Sequence, residues 1–332
     1  MATMRAAVLG KYGNTADVQC GEAARPGLQP GEVLVRVESS PINPSDLYFI
    51  RGSRANLPPL PSIPGLEGAG VVVETTPGNE HLMGKRVHTY RIGFPTNSMW
   101  AEYAVSKAEH CVPLSDSVDL DQGACLYVNP MTVLMFREII REGKHRAAVQ
   151  DVANSALGKM LNRICKLDNI PLINIVRSES SAEMLRKEGF EFILDSSQAG
   201  FDQDLKTLCT RLNATVGFDA IAGPAAGRMM SGLCAGGVVY VYSGLSGQPS
   251  EGFSASDLIF QGKSFEGRMM PMWLAPKSQE ERAVLFEEVQ RLLPTVFYSE
   301  FVGHFGLSDV QSALNGYIAQ MSAGKVLIHP GR

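Results

Sequence analysis

The chain has 332 residues, 45% of them hydrophobic, and its 30 Lys and Arg residues against 34 Asp and Glu residues leave a net charge of −4. That length predicts about two domains, each with its own core. The acidic balance argues against a nucleic-acid partner. No apolar run is long enough to span a bilayer, and residues 1–10 lack the features of a signal or transit peptide. We therefore expect a cytoplasmic protein that binds neither nucleic acid nor membrane.

The cysteines and histidines are scattered along the chain. The six cysteines form no Cys-X-X-Cys pair, which predicts free thiols in a reducing compartment rather than disulfides or a zinc site. The six histidines show no i, i+4 pair and no flanking acidic cluster. The spacing of both residue types therefore predicts no metal site.

The first third of the chain is rich in predicted strands. Residues 1–10 are typical of an opening strand, and residues 31–38 and 68–74 read as half-buried strands. The segment 39–65 between them carries six prolines, which exclude a continuous helix or a central strand. We expect a shaped loop there, on which binding groups can concentrate.

From about residue 122 the pattern changes to helices that alternate with short buried strands. Such alternation predicts a doubly wound parallel sheet, covered by helices on both faces. The predicted helices are 122–140, 157–167, 181–188, 279–293 and 308–321, and the predicted strands are 147–152, 171–176, 192–194, 217–221, 237–242 and 325–328. We therefore expect a β-rich domain at 1–124, a dinucleotide-binding domain at 125–267 and a return to the first domain at 268–332.

A dinucleotide bound to such a sheet lies at the carboxyl ends of the strands, with its pyrophosphate at a helix N-terminus. The strand predicted to end at Val152 is followed by a turn and a helix, but the usual glycine motif is reduced to Gly158. The alternative is an ordinary strand-to-helix turn in which Asn154 or Ser155 caps the helix.

Arg177 and Ser178 follow the second predicted strand, nineteen residues after Gly158. An acidic residue at this place would bind the ribose 2′-hydroxyl of NADH, whereas an arginine beside a serine suits the 2′-phosphate of NADPH. The alternative is a solvated surface arginine. The sequence favours NADPH over NADH.

Six short motifs carry a family resemblance. They are Pro-Ile-Asn-Pro-Ser-Asp at 41–46, Pro-Gly-Leu-Glu-Gly-Ala-Gly at 64–70, Val-Asn-Pro-Met-Thr at 128–132, Asn-Ser-Ala-Leu-Gly at 154–158, Val-Arg at 176–177 and Met-Ser-Ala-Gly-Lys-Val at 321–326. In this order the chain resembles the zinc-free branch of the medium-chain dehydrogenase/reductases, which contains quinone oxidoreductases of the zeta-crystallin type and mitochondrial enoyl-thioester reductases. The resemblance covers nearly the whole chain and implies an α/β protein with a β-rich GroES-like catalytic domain and a Rossmann domain that binds NADPH.

The resemblance also implies roles for individual residues. Asn43 is similar to a family asparagine near the nicotinamide and the substrate, and Thr132 to a threonine that contacts the nicotinamide ribose or amide. Lys325 is expected to add a contact near the C-terminus. The other residues implied to bind the cofactor are Asn154, Ser155, Ala156, Leu157 and Gly158 at the pyrophosphate, Arg177 and Ser178 at the 2′-phosphate, Ile221 and Ala222 in the cleft, and Tyr242, Ser243, Gly244, Leu245, Ser246, Arg268, Met269 and Met270 beside the nicotinamide.

Two departures from the family patterns bear on the chemistry. Zinc-dependent relatives have a histidine where this chain has Leu66, which cannot ligate a metal, and they have a four-cysteine lobe that this chain lacks. Enoyl-thioester reductases place a catalytic tyrosine where this chain has Arg54, whereas Tyr48 matches a tyrosine of the quinone-reductase pattern. The resemblance therefore implies zinc-independent chemistry, with Tyr48 or Arg54 as the donor to a developing oxyanion.

Three functions remain open at this point. The favoured one is NADPH-dependent hydride transfer to a quinone or to an α,β-unsaturated carbonyl compound, with Asn43 positioning the substrate. The second is reduction of trans-2-enoyl thioesters, and the third is a non-catalytic role in binding NADPH. Since family members usually pair along edge strands, we also expect a homodimer or homotetramer, with 263–270 as the edge segment.

Overall fold

The computed structural model describes residues 2–53, 57–91 and 98–332. The chain divides into two units: the first comprises the residues up to Met131 together with Lys277–Arg332, and the second comprises Thr132–Pro276. None of the helices in the described ranges is both long and apolar enough to cross a bilayer.

The strands and helices are numbered in chain order. The strands are β1 (Thr3–Leu9), β2 (Val18–Ala24), β3 (Glu32–Pro41), β4 (Glu67–Thr75), β5 (Arg86–Tyr90), β6 (Tyr103–Lys107), β7 (Cys111–Pro113), β8 (Ala147–Gln150), β9 (Leu172–Val176), β10 (Ile193–Asp195), β11 (Ala214–Asp219), β12 (Val238–Val241), β13 (Ser264–Gly267), β14 (Phe301–Phe305) and β15 (Lys325–Ile328). The helices are α1 (Pro44–Ile50), α2 (Leu120–Gly123), α3 (Val128–Glu142), α4 (Ala156–Leu167), α5 (Glu179–Lys187), α6 (Phe201–Leu212), α7 (Pro224–Gly232), α8 (Ala255–Ile259), α9 (Met270–Leu274), α10 (Gln279–Leu292) and α11 (Val310–Ala319).

The first unit is built on antiparallel strands. β1 and β2 form a two-stranded ribbon, and a seven-stranded sheet has the order β14-β15-β3-β4-β5-β7, with β6 also paired to β3. Only β14 and β15 run parallel to each other in the described part of this sheet. A core cluster that includes Phe49, Ile50, Trp100 and Leu314 packs against it. This is the β-rich domain that the sequence predicts.

The second unit is a six-stranded parallel sheet with the order β10-β9-β8-β11-β12-β13. Its strands are short and buried because helices cover both faces, and one core cluster includes Val149, Ile173, Leu205 and Met230. The predicted doubly wound α/β fold is confirmed. β13, within the predicted edge segment, is the last strand of this order.

The helix predicted at 122–140 is wrong in one respect, because two helices, α2 and α3, occupy this range. Pro130 lacks a backbone N–H and is tolerated only in the first turn of a helix, so α3 begins two residues before it. The division between the two units lies inside α3, after Met131, whereas the sequence placed it after residue 124.

The proline-rich segment 39–65 also contains regular structure that the sequence did not predict. β3 extends to Pro41, and the seven-residue helix α1 follows with Pro44 in its first turn. A proline at this position is favourable because its fixed φ angle suits a helix and its missing N–H leaves no bond unmade. The segment is therefore only partly a loop.

Candidate functional site

Four polar side chains form a buried group in the first unit, here called the Glu67 cluster: Asn43, Asp46, Glu67 and Lys325. Asn43 stands between β3 and α1, Asp46 lies in α1, and Glu67 and Lys325 begin β4 and β15. Asn43 Nδ2 donates to Glu67 Oε1 at 2.9 Å, and Asn43 Oδ1 accepts from Lys325 Nζ. The two ends of the Asn43 side chain thus connect a carboxylate to an amine, and this fixes its orientation.

The second carboxylate oxygen of Glu67 binds the start of α3. Glu67 Oε2 accepts from the backbone N–H groups of Tyr127 and Val128 at 2.9 and 3.1 Å. These groups have no partner within a helix, and a negative charge is favourable at this end of one. Burial raises the pKa of Glu67, while Lys325 and the N–H donors act to lower it. The carboxylate is therefore held by a full set of donors.

Asp46 is the second buried carboxyl group of the cluster. Its Oδ2 accepts from the backbone N–H of Asn43 at 2.8 Å, and its Oδ1 accepts from that of Leu66 at 3.1 Å. The pKa of Asp46 is raised to about 7, chiefly by burial and also by nearby Glu67, against the lowering effect of the backbone donors and Lys325. The cluster therefore holds two carboxyl groups close to one amine.

The cluster does not suit a catalytic zinc ion. Zinc takes Cys, His, Asp or Glu ligands, and Leu66 beside Glu67 offers none of these. Within the described residues, the Glu67 carboxylate accepts hydrogen bonds from N–H donors. The amine of Lys325 donates to the Asn43 side chain, which in turn donates to Glu67. A cation at this place would compete with donors that already occupy the carboxylate.

The two candidate oxyanion donors have different outcomes. Tyr48 lies on α1 and is half-buried, whereas its neighbours Leu47 and Phe49 are buried in the core. The helix therefore turns Tyr48 away from the core of its unit. Arg54 lies outside the described residues.

The predicted cofactor residues of the second unit gather at one edge of its sheet. Parallel strands have their carboxyl ends at the same edge, and the chain reverses its direction of winding between β8 and β11, where ligands of such sheets bind. The residues that follow strands at this edge are Asn154, Ser155, Ala156, Leu157 and Gly158 after β8, Arg177 and Ser178 after β9, Ile221 and Ala222 after β11, Tyr242, Ser243, Gly244, Leu245 and Ser246 after β12, and Arg268, Met269 and Met270 after β13.

The turn between β8 and α4 depends on Gly158. A Cβ atom on Gly158 would lie 2.6 Å from the carbonyl oxygen of Ala153, which is backbone and cannot move aside. Ser155 caps α4, since its Oγ accepts from Gly158 N at 3.1 Å, and Asn154 Nδ2 donates to Ser181 Oγ at 3.2 Å. Close backbone contact in this turn therefore requires Gly158, and of the two candidate caps Ser155 is the one used.

Arg177 is exposed immediately after β9. Its guanidinium has no hydrogen-bond or ion-pair partner within the described part of the chain, which leaves its five donors available. Ser178 caps α5 by accepting from Ser181 N at 3.3 Å. The end of β9 therefore offers a cation to an anion from solution.

The segments after β11 and β12 contact each other. Ser246 N donates to Ile221 O at 3.0 Å. Asp219 Oδ1 accepts from the N–H groups of Ile221 and Ala222 at 2.8 and 2.9 Å, which holds Ala222 at the left-handed φ of 62°. The side chain of Asp219 thus shapes the turn that the sequence assigned to the dinucleotide cleft.

The remaining predicted residues have mixed exposure. Arg268 is exposed, with its guanidinium carbon 4.8 Å from the ring centroid of Tyr240. Met269 is half-exposed and Met270 is buried. Thr132 is buried within α3.

The sequence analysis missed a buried carboxyl pair between β8 and β11. Asp151 follows β8, Asp219 ends β11, and Asp151 Oδ1 accepts from Ala220 N at 2.8 Å. Burial and the adjoining Asp219 raise the pKa of Asp151 well above its usual value, because two buried carboxylates side by side would repel each other. Burial, Asp151 and Asp219 likewise raise the pKa of Tyr242. An acidic residue at the end of each of two buried strands was the signal in the sequence.

Two family descriptions match separate parts of the chain. The "Alcohol dehydrogenase GroES-like domain" matches residues 29–116, and "Zinc-binding dehydrogenase" matches residues 156–290. The first match covers the β-rich part and the second most of the parallel sheet.

Curated relatives and solved structures extend the similarity to nearly the full length. A mitochondrial enoyl-[acyl-carrier-protein] reductase of Caenorhabditis elegans is 29% identical over 298 residues, which cover 87% of this chain and 84% of that protein. A candidate NADPH:quinone reductase from Mesorhizobium loti is 26% identical with a TM-score of 0.90, covering 99% of both chains. Another from Bacillus thuringiensis is 26% identical with a TM-score of 0.87 and the same coverage.

Proposed function

Because the chain belongs to the medium-chain dehydrogenase/reductase superfamily of oxidoreductases, we propose that it uses NADPH to reduce quinones or α,β-unsaturated carbonyl compounds without a catalytic zinc. The observation that carries the proposal is the exposed Arg177 after β9, which has no hydrogen-bond or ion-pair partner among the described residues and follows the strand paired to β8. Similarity to candidate NADPH:quinone reductases supports the same cofactor and acceptor.

The second unit would hold the cofactor. Arg177 would bind the 2′-phosphate through its guanidinium, and the backbone at 155–158 would receive the pyrophosphate because Gly158 leaves room for close approach. The exposed Arg268 lies at the same edge of the sheet. NADPH supplies the hydride that the acceptor carbon receives.

The first unit would supply polar groups for the acceptor. Hydride transfer to such an acceptor would place negative charge on its carbonyl oxygen, and the Tyr48 hydroxyl would donate a hydrogen bond to that oxygen. Asn43 is fully buried and engaged at both ends, so we assign it a positioning role at the start of α1 rather than direct contact with the acceptor. A reduced quinone can take its proton from water, whereas an enolate benefits from a positioned donor.

The cofactor assignment is tested with Arg177→Ala. Loss of charge-assisted hydrogen bonds should raise KM for NADPH roughly 10- to 100-fold and leave KM for NADH nearly unchanged. Steady-state kinetics with both cofactors measure this. The matched control is Lys206→Ala, which removes an exposed cation from α6 of the same unit. Equal changes for the two cofactors would contradict recognition of the 2′-phosphate.

The donor is tested with Tyr48→Phe. Removing an oxyanion donor should lower kcat for an enone about 100-fold, lower kcat for 1,4-benzoquinone less, and leave the KM for NADPH unchanged. An unchanged kcat for both acceptors would make Tyr48 a packing residue.

Enoyl-thioester reduction is the second candidate, because the curated relatives at 25–29% identity are named enoyl-[acyl-carrier-protein] reductases. Comparing kcat/KM for crotonyl-CoA with that for 1,4-benzoquinone separates the two functions. Tight NADPH binding without turnover of either acceptor would instead indicate a non-catalytic binding protein.

A further inference from the structure

A cluster of three metal-ligating side chains lies in the first unit, apart from the Glu67 cluster. It consists of Asp121 of α2, His304 of β14 and His329, which follows β15 directly. His304 Nδ1 lies 3.0 Å from His329 Nε2 and 3.5 Å from Asp121 Oδ2, and His329 Nε2 lies 3.7 Å from Asp121 Oδ1. Spacing along the chain predicts no such site, because the three residues are brought together only by the fold.

The pairing of β14 with β15 accounts for the two histidines. His304 pairs with Leu327 in the parallel register, and His329 lies two residues further along. Side chains two residues apart on a strand point to the same face of the sheet, so both imidazoles project to one side. Their rings are nearly parallel, with centroids 5.2 Å apart.

A backbone carbonyl orients one of the ligands. His329 Nδ1 lies 3.0 Å from Glu38 O. A carbonyl oxygen can only accept, so Nδ1 carries the proton and Nε2 presents its lone pair to His304 and Asp121. Metal-binding histidines are commonly held by a second-shell acceptor of this kind.

We propose that Asp121, His304 and His329 bind a divalent transition-metal ion, Zn²⁺ being the best match to two imidazoles and one carboxylate. Zinc bonds of about 2.0–2.2 Å in tetrahedral geometry set neighbouring ligand atoms about 3.3–3.6 Å apart. The two imidazole nitrogens lie 3.0 Å apart, and the nearest carboxylate oxygen lies 3.5 Å from His304 Nδ1 and 3.7 Å from His329 Nε2, Oδ2 and Oδ1 respectively. One ligand atom from each residue lies within 4.8 Å of the other two, so small side-chain rotations bring the three to the zinc distances. His304 is exposed, so an ion can reach the site from solvent. A water molecule would then take the fourth coordination position of the ion.

The ion would join α2 to the C-terminal strands. A neighbouring pair of hydrogen bonds already connects these parts of the chain, since Gln122 Nε2 donates to Ser299 O at 2.8 Å and Ser299 N donates to Gln122 Oε1 at 2.9 Å. An ion that binds only the folded chain stabilises it. This role is structural and independent of the proposed reductase activity.

The test is calorimetric titration of the chelator-treated full-length protein with Zn²⁺, together with thermal unfolding. We expect one Zn²⁺ per chain and a rise in Tm of several degrees on adding it. His304→Ala should weaken binding by at least about 10- to 100-fold, the loss that even a second-shell partner causes, and should remove the rise in Tm. His304 is exposed, so this variant is expected to fold.

Two control variants separate this site from other zinc-binding groups. His81→Ala removes an exposed histidine outside the cluster, and Cys20→Ser removes an exposed free thiol; both should bind Zn²⁺ as the wild type does. With Co²⁺ as a probe, the site should give visible d–d bands without the thiolate charge-transfer band of a cysteine site. Absence of saturable one-to-one binding, or equal binding by His304→Ala, would overturn the proposal.

Discussion

The two units bury carboxyl groups in different ways. In the Glu67 cluster, the carboxylate accepts from Asn43 and two backbone N–H groups, and Lys325 lies beside it. In the second unit, Asp151 adjoins Asp219, and burial together with this like neighbour raises the pKa of Asp151. The first group is balanced by donors and a cation, whereas the second brings two like groups together and so favours the neutral form of Asp151.

This difference between the two buried carboxyl groups follows from the positions of their residues in the two sheets. Glu67 and Lys325 both begin strands of one mixed sheet, so a cation from the end of the chain reaches a carboxylate from its first third. Asp151 and Asp219 stand at the ends of two neighbouring parallel strands, where side chains of the same kind meet. A buried charge must be paired or neutralised, and topology decides which occurs.

The largest effect is expected from Lys325→Met. Removing one partner from a buried charged group leaves the carboxyl groups of Glu67 and Asp46 without a cation, which should lower the free energy of unfolding by about 3 to 5 kcal/mol. Urea denaturation measures this. Lys206→Met, on an exposed face of α6, is the control and should change little. An equally small change for Lys325→Met would mean that the amine does not balance the cluster.

A smaller loss is expected from Glu67→Gln. Both oxygens of Glu67 face N–H donors, so the amide group of a glutamine would set its own N–H against one of them. One unsatisfied buried donor should reduce the free energy of unfolding by about 1 to 3 kcal/mol. If the variant were as stable as the wild type, the carboxylate would not be needed as an acceptor.

The smallest effect at pH 4 is expected from Asp151→Asn, which replaces the carboxyl group by a neutral group of nearly the same shape and should change stability by less than about 1 kcal/mol. The folded-state pKa of Asp151 is raised, so the folded wild type holds a proton that the unfolded chain loses above about pH 4. The wild type therefore loses stability as the pH rises, and the variant lacks this loss.

Denaturation of both proteins between pH 4 and pH 8 measures the difference. The variant should become more stable relative to the wild type with rising pH, by at most about 1.4 kcal/mol per unit. Asp46, whose pKa burial raises to about 7, titrates in the same range but is common to both proteins. A difference that does not depend on pH would show that Asp151 carries no proton.

Regular elements could be predicted where local pattern and local sterics agree. β15 is found at 325–328 as predicted, and α4 begins one residue from its predicted start, because buried apolar runs and a capping serine are local signals. The helix predicted at 122–140 is divided because Pro130, which lacks a backbone N–H, is tolerated only in the first turn of α3. Gly158 stands out in the sequence as a lone glycine, and the backbone contact at this position admits only glycine.

The polar clusters could not be predicted from spacing. Glu67 enters the sequence analysis only as part of the motif at 64–70, and the Asn43 side chain connects it to Lys325. Asp151 and Asp219 lie within predicted strands and received no role, and the histidine spacing predicted no metal site. Each of these groups depends on which strands are neighbours.

The sequence by itself determined the α/β architecture, the parallel sheet and the cation at the end of β9, because apolar periodicity, turn residues and strand ends act over a few residues. Only the tertiary structure decided which buried carboxyl group meets an amine, which meets another carboxyl group, and which histidines converge on Asp121. Strand order sets these contacts, and strand order is chosen by the burial of the whole core.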